Sequence, residues 1–350
     1  MGNEGQASTR FGGGDGGSKI IKTVNARIIA AGTVVGGAEH SGPLSAEFDF
    51  HDSTDRFGQP TWEKAESEMQ KIALATAIKK SGHKSDELGA IFAGDLLNQC
   101  VGSAYGLIDY DVPYYGLYGA CSTSAEGLML AAMLTGAGYF DLAAAVTSSH
   151  NCSAERQYRN PIEYGGQKPP SAQWTVTGAG AFIVASEKAA AGRGASVREV
   201  LPGIVIDKGV KDANNMGAAM APAACSTLVR YFSESELRPS DFDLILTGDL
   251  GDVGSSILCD LMRAENIDIS PVHNDCGKII YEGIEHPDVN SGGSGCGCAA
   301  TVLGAHILPR IESGELKNVL FMATGAMMSP SSVQQGLSIP SIAHLLRLTR

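Results

Sequence analysis

The sequence predicts an α/β chain of two duplicated βαβαβαββ halves, and three observations carry that reading. The stretch 119–147 reappears without a gap as 296–324, so that Gly119-Ala120-Cys121-Ser122-Thr123-Ser124 matches Cys296-Gly297-Cys298-Ala299-Ala300-Thr301. Ile91-Phe92-Ala93-Gly94-Asp95-Leu96 recurs within 244–250 at a different spacing, so the halves diverged in the loops between their elements. Strand candidates are apolar throughout and alternate with helical patterns, as in sheets covered on both faces. A repeat this long is not that of a solenoid or propeller.

Taken in order, residues 28–35 form a buried strand and 62–81 a helix, with Ala65, Met69, Ile72, Ala73 and Ala77 at helical spacing. A strand at 88–93, a helix near 98–108, a strand at 112–117, a helix at 121–135 and a strand at 142–147 follow. The segment 151–173 reads as a long loop before a strand at 176–185. The second half gives a strand at 196–206, helix 216–232, strand 243–247, helix 255–265 and a short strand at 269–272. Helix 298–311, strand 319–324 and a last strand near 339–346 close it. The expected units are 20–193 and 194–350, preceded by a Gly-rich tail over 1–19 that cannot offset its ordering entropy.

At 350 residues the chain is long enough for a large core, and its 43% hydrophobic and 18% charged content is that of a globular protein. No apolar run is long enough to span a bilayer. Lys+Arg 26 against Asp+Glu 38 leaves a net charge of −12, which argues against a general nucleic-acid or anionic-membrane surface. The eight cysteines lack framework spacing and read as reduced thiols. The first residues hold no signal-peptide core, and Gln6 stands where an N-myristoylation motif requires Ser or Thr.

Cys121 follows a strand and opens a helix, where unpaired N–H groups and the helix dipole lower a thiol pKa and equally make an anion site. Spacing leaves it a nucleophile, a ligand contact or a packing thiol. Asp95 ends an apolar strand, and its carboxylate either caps the next helix or faces a ligand or cation. Asp249, its repeat, reads as a cap. The segment 151–173 carries Arg156, Arg159 and Lys168, suited to carboxylate recognition, or it serves as a lid or dimer contact. His150 is a pocket wall or a satisfied core histidine. His273, Cys276, Cys296 and Cys298 nominally supply four zinc ligands, but the Cys-x-Cys spacing lies where small residues pack closely, so no metal site is expected. The glycine run 291–298 lacks the context of a phosphate-binding loop.

Six blocks, Ala93-Gly94-Asp95-Leu96-Leu97-Asn98-Gln99, Gly119-Ala120-Cys121-Ser122-Thr123-Ser124, Thr147-Ser148-Ser149-His150-Asn151, Glu163-Tyr164-Gly165-Gly166-Gln167-Lys168-Pro169, Met220-Ala221-Pro222-Ala223-Ala224 and His273-Asn274-Asp275-Cys276-Gly277, carry a resemblance. From about residue 20 onward the chain resembles the thiolase and ketoacyl-synthase superfamily, and within it the stage V sporulation protein AD family. The resemblance implies a layered αβαβα fold, with Cys121 at the position of the acyl-accepting nucleophile and His273 where related synthases place a catalytic histidine. The glycine run stands where those enzymes carry Asn or His, and the Gly-His-Pro of thiolases is absent. An incomplete set loses most of its rate. The resemblance therefore implies a non-catalytic protein binding dipicolinic acid (pyridine-2,6-dicarboxylate) or its calcium chelate for uptake into the forespore. Implied with it are SpoVA membrane partners, a peripheral place at the spore inner membrane, a homodimer, and no cofactor beyond calcium accompanying the ligand. Asp95 and Cys121 are expected to line the pocket, with His150, Arg156, Arg159, Lys168 and His273 around it. The alternatives are a Cys121-dependent condensing acyltransferase and a scaffold with an inert pocket.

Overall fold

The computed structural model describes residues 19–158, 168–284 and 288–350, so the expected tail lies outside it except for Lys19. The first half runs β1 (Ile21–Gly36), α1 (Trp62–Ser81), β2 (Ala90–Gly94), α2 (Val101–Gly106), β3 (Tyr114–Gly116), α3 (Thr123–Gly136), β4 (Leu142–Ser149), α4 (Asn151–Tyr158) and β5 (Gly178–Ser186). The second runs β6 (Ala195–Leu201), α5 (Met216–Glu234), β7 (Leu244–Thr247), α6 (Gly251–Ala264), β8 (His273–Asp275), α7 (Cys296–Val302), β9 (Asn318–Ala326) and β10 (Ser341–Thr349). Apart from α4, each half is βαβαβαββ.

The hydrogen-bonded strand order is β8-β7-β9-β10-β6-β1-β5-β4-β2-β3. In each half the first strand lies antiparallel to the fifth and the fifth antiparallel to the fourth, which is parallel to the second; the second is parallel to the third. The duplication is thus one of topology as well as of sequence. A short strand, Phe50–Asp52, adds parallel to the end of β1 to make eleven strands in all, and the two halves meet where β1 and β6 pair antiparallel, Ile21 with Val200 and Ile28 with Ala195.

Three apolar layers follow from these faces. One unites α3 and α7 with the inner faces of both halves of the sheet through Phe92, Leu128, Phe182, Cys298, Val302 and Phe321. A second packs Met69, Ala73 and Leu74 of α1 against Ile91, Val146 and Ile183. A third packs Met220, Leu228 and Tyr231 of α5 against Ile245, Leu320 and Leu345. The result is the αβαβα sandwich, with α3 and α7 in its middle layer.

Helix α1 has the expected ends because both stops are coded locally. The Thr61 side chain accepts from Lys64 N, and Gly82 takes φ +76 at the C-cap. Elsewhere the expectations need correction. The helix near 98–108 is broken, because Gln99 and Cys100 adopt φ +59 and +53 and only Val101–Gly106 is α-helical. The short strand at 269–272 is displaced to His273–Asp275. The segment 151–173 opens with helix α4 instead of loop.

Candidate functional site

Between β3 and α3 the chain makes a tight turn whose shape is set by its own hydroxyls. Ser122 Oγ donates to Gly119 O (2.6 Å), while Thr123 Oγ1 donates to Ala120 O (2.8 Å) and accepts from Gly119 N (3.0 Å). Ala120 is held at φ +51, a conformation costly for a residue with a Cβ. Gly325 of β9 presses on this turn from the other half; a Cβ there would come within 2.1 Å of Gly119 O. Cys121 is thereby fixed in a small buried cluster with Leu96, Ala154, Cys296 and the ring of Tyr158.

The residue facing the thiol comes from the other half. Asp249 follows β7; its Oδ2 accepts from Gly295 N (2.9 Å) and its Oδ1 from Thr324 Oγ1 (2.9 Å), and the carboxyl lies against Cys121. Gly295 supplies that N–H at φ +103, and a Cβ on it would meet Ser149 Oγ at 2.5 Å. Burial raises the Asp249 carboxyl to about 7. Burial first, then the adjacent Asp249 charge, pushes the Cys121 thiol well above its ordinary range.

This reverses the expectation of a lowered thiol. A helix terminus contributes about 0.3–1 kcal/mol, whereas full burial shifts a pKa by up to about 3–5 units at roughly 1.4 kcal/mol each. Desolvation and a neighbouring carboxyl therefore win. Asp249 is also not the helix cap expected from its repeat: its side chain reaches across to the glycine run and β9.

Asp95 carries the cap-like role instead. Its Oδ1 accepts from Leu97 N (2.9 Å) and its Oδ2 from Ser103 N (2.7 Å) and Ser103 Oγ (2.6 Å), which fixes the strained turn ahead of α2. It belongs to a buried polar group with Gln70 and Glu66. Gln70 Nε2 donates to Ser103 Oγ and Ser148 Oγ, and Glu66 accepts from Ser148 and Ser153. Burial raises both acids, Glu66 to about 8.

The other expected site residues that the structure describes are engaged with partners of their own. His150 is a satisfied core histidine: Nδ1 accepts from Cys152 N (3.2 Å), which leaves Nε2–H to donate to Asp55 O (2.8 Å). Arg156 pairs with Glu63 of α1. Lys168 Nζ pairs with Glu155 Oε1 (3.2 Å) and lies over the Trp174 ring. Arg159 lies outside the described residues. His273 sits on edge strand β8, its ring between Thr247 Oγ1 (3.0 Å) and Cys259 Sγ (3.8 Å) of α6, and burial lowers it to about 4. Its ring contacts are with Thr247 and Cys259 and not with Cys121. The other described histidines are engaged with His51 or His40, Glu87, Glu47 and Gly203 N. Among the described residues no group of three or more His, Cys, Asp or Glu is placed to hold a metal ion, and no helix is long and apolar enough to cross a membrane.

Sequence reasoning did not find Asp249, Tyr158 or Leu96 as neighbours of Cys121. Asp249 had a signal, its repeat of Asp95, which pointed to the wrong role. Tyr158 lies in the segment read as loop.

The duplicated halves, the middle-layer helices and a cysteine at the turn into one of them define a thiolase-like protein. Solved structures agree on the fold. The 3-oxoacyl-[acyl-carrier-protein] synthase III of Aquifex aeolicus VF5 superposes with a TM-score of 0.55 at 13% identity, covering 93% of this chain and 100% of that one. The synthase III (FabH) of Xanthomonas oryzae pv. oryzae gives 0.57 at 14%, covering 94% and 100%, and cerulenin-bound OleA of Xanthomonas campestris gives 0.57 at 13%, covering 95% and 98%. Sequence narrows the class. The stage V sporulation protein AD (SpoVAD) family profile matches residues 17–349, and stage V sporulation protein AD of Bacillus subtilis (strain 168) is 41% identical over 317 residues, 90% of this chain and 91% of the relative. The chain belongs to the stage V sporulation protein AD family.

Proposed function

We propose that the chain is a non-catalytic receptor for dipicolinic acid, free or as its calcium chelate, serving uptake into the forespore. The observation that carries the non-catalytic part is the environment of Cys121: the thiol is held uncharged against Asp249, and every described histidine is engaged elsewhere. A nucleophilic thiolate needs the reverse, a lowered pKa and an adjacent base. The membership in a sporulation family supports the choice of ligand, and the fold shared with 3-oxoacyl synthases supports the neighbourhood of Cys121 as the place it binds. In this reading calcium travels as part of the chelate and is not held in a site built of protein carboxylates.

The same reading puts the chain at the spore inner membrane through SpoVA partner proteins, as a homodimer. The edge strand β3 favours the second copy: Tyr114 and Tyr115 stand exposed on it, beside Tyr105 and Ile108, each 71% exposed. Unpaired strand edges with apolar surroundings are natural pairing surfaces.

Calorimetry with dipicolinate, with and without calcium, beside intact-mass analysis after incubation with acyl-coenzyme A, tests the proposal. Saturable binding with no acyl adduct is expected. A Cys121-dependent adduct without dipicolinate binding would replace the receptor by the condensing acyltransferase.

A further inference from the structure

We infer that Tyr158 is the gate over the buried Cys121 thiol and that the carbonyl of Leu96 is its latch. The ring of Tyr158 packs on the cluster of Leu96, Cys121, Ala154 and Cys296 from the last turn of α4. Its hydroxyl donates to Leu96 O (2.9 Å), because a carbonyl only accepts, and this fixes the direction of the next bond: Tyr118 donates to the Tyr158 oxygen (2.6 Å). The neighbouring Gln157 closes the same contact twice over, Nε2 donating to Leu96 O (2.9 Å) and Oε1 accepting from Asn98 N (2.9 Å). Tyr118 is 40% exposed, so this chain of hydroxyls runs from the surface to the Leu96 carbonyl, in the cluster that buries Cys121.

The latched partner is under strain. The turn that carries Leu96 and Asn98 continues into Gln99 and Cys100, two successive residues in the left-handed region. Such conformations persist where the surroundings over-determine them and mark places poised to move. Two elements that must part to expose Cys121, α4 and the turn after β2, are thus joined by side-chain hydrogen bonds from two adjacent residues, with a hydroxyl donor from a third. Each bond is exchangeable with water or with a ligand acceptor. The occupant admitted is a small flat acid whose carboxylate oxygens take over the Tyr158 and Tyr118 hydroxyl donors as the latch releases. That last step rests on the proposed receptor function; the gate itself does not.

The test reads access directly. The rate of Cys121 alkylation by iodoacetamide is followed by peptide mapping in the full chain, in Tyr158→Phe, Tyr158→Ala, Gln157→Ala and Tyr118→Phe. Loss of one net hydrogen bond shifts an opening equilibrium by about fivefold, the size expected for Tyr158→Phe. Tyr158→Ala, which also removes the ring, exceeds it. Unchanged Cys121 rates in Tyr158→Phe, Gln157→Ala and Tyr118→Phe, with unchanged thermal midpoints, overturn the gate even where Tyr158→Ala fails to fold. Dipicolinate slowing Cys121 alkylation supports its entry through the gate. Its failure to do so, with the variant rates still raised, removes the ligand and leaves the gate standing.

Discussion

Asp95 and Asp249 occupy the same place in the two halves, each following the apolar strand parallel to its central neighbour, yet the fold uses them differently. Asp95 is bound by N–H and O–H groups of its own loop, Leu97 and Ser103. Asp249 is bound by groups far along the chain, Gly295 and Thr324, and faces a thiol from the other half. The cysteines repeat the contrast. Cys121 lies in a small cluster under the Tyr158 ring, while its counterpart Cys298 is sealed in the middle layer with Sγ toward Gly248 O (3.7 Å). Duplication supplies two copies of a motif, and tertiary surroundings give each copy its own partners.

The strongest way to break this comparison is to remove each carboxyl. Asp95→Ala strips partners from two buried N–H groups and one hydroxyl, at about 1–3 kcal/mol for each unsatisfied group, so urea unfolding should show a loss of several kcal/mol. Asp249→Asn keeps one acceptor and replaces the other with an NH2 donor, and should cost less than Asp95→Ala. Equal losses would put both acids in the same structural role.

Next in size is the pH dependence. Glu66 (about 8), Asp249 and Glu39 (both about 7) and Asp275 (about 6) all have folded values above those of the unfolded chain, raised chiefly by burial. Each binds its proton more tightly when folded, so its contribution is present at low pH and is lost as pH rises between about 4 and 8. Exposed carboxyls that are lowered, such as Asp207 and Asp268, act in the opposite sense below about pH 4. The buried histidines His273 and His344, lowered to about 4, act against this below about pH 6.5; the thermal midpoint should therefore fall from about pH 6.5 to pH 8, and Glu66→Gln should flatten that slope. A midpoint rising across this window would show that these acids are not held protonated.

The smallest effect sharpens the comparison at the thiols. Asp249→Asn removes the negative charge beside Cys121 and should raise its alkylation rate at pH 8 by about tenfold, the equivalent of one pKa unit. Cys298 should not respond, because its sulfur stays sealed. A parallel rise at both cysteines would mean general loosening and not a local charge effect.

The sequence made the strand order of each half and the middle-layer helices legible because their signals are local and repeated: uniformly apolar strands, Thr61 and Gly82 at the ends of α1, and the match of 119–147 to 296–324. It hid α4, whose buried positions include Asn151, Ser153 and Ala154, too polar or too small to give an apolar period. Of the basic groups expected around Cys121, Arg156 and Lys168 pair with Glu63 and Glu155, partners that no local pattern announced, and Arg159 lies outside the described residues. The direction of the Cys121 shift was equally hidden, because it depends on burial and on Asp249 from the other half.

The seam between β1 and β6 has a consequence for how this molecule can be cut. Expressed separately, either piece would present a raw, hydrogen-bond-hungry flank along Ile21–Ile28 or Ala195–Val200 and strip the cover from α3 or α7. Fragments of this kind self-associate instead of staying single. The ancestral duplication has become irreversible, and the polypeptide should melt in a single cooperative step.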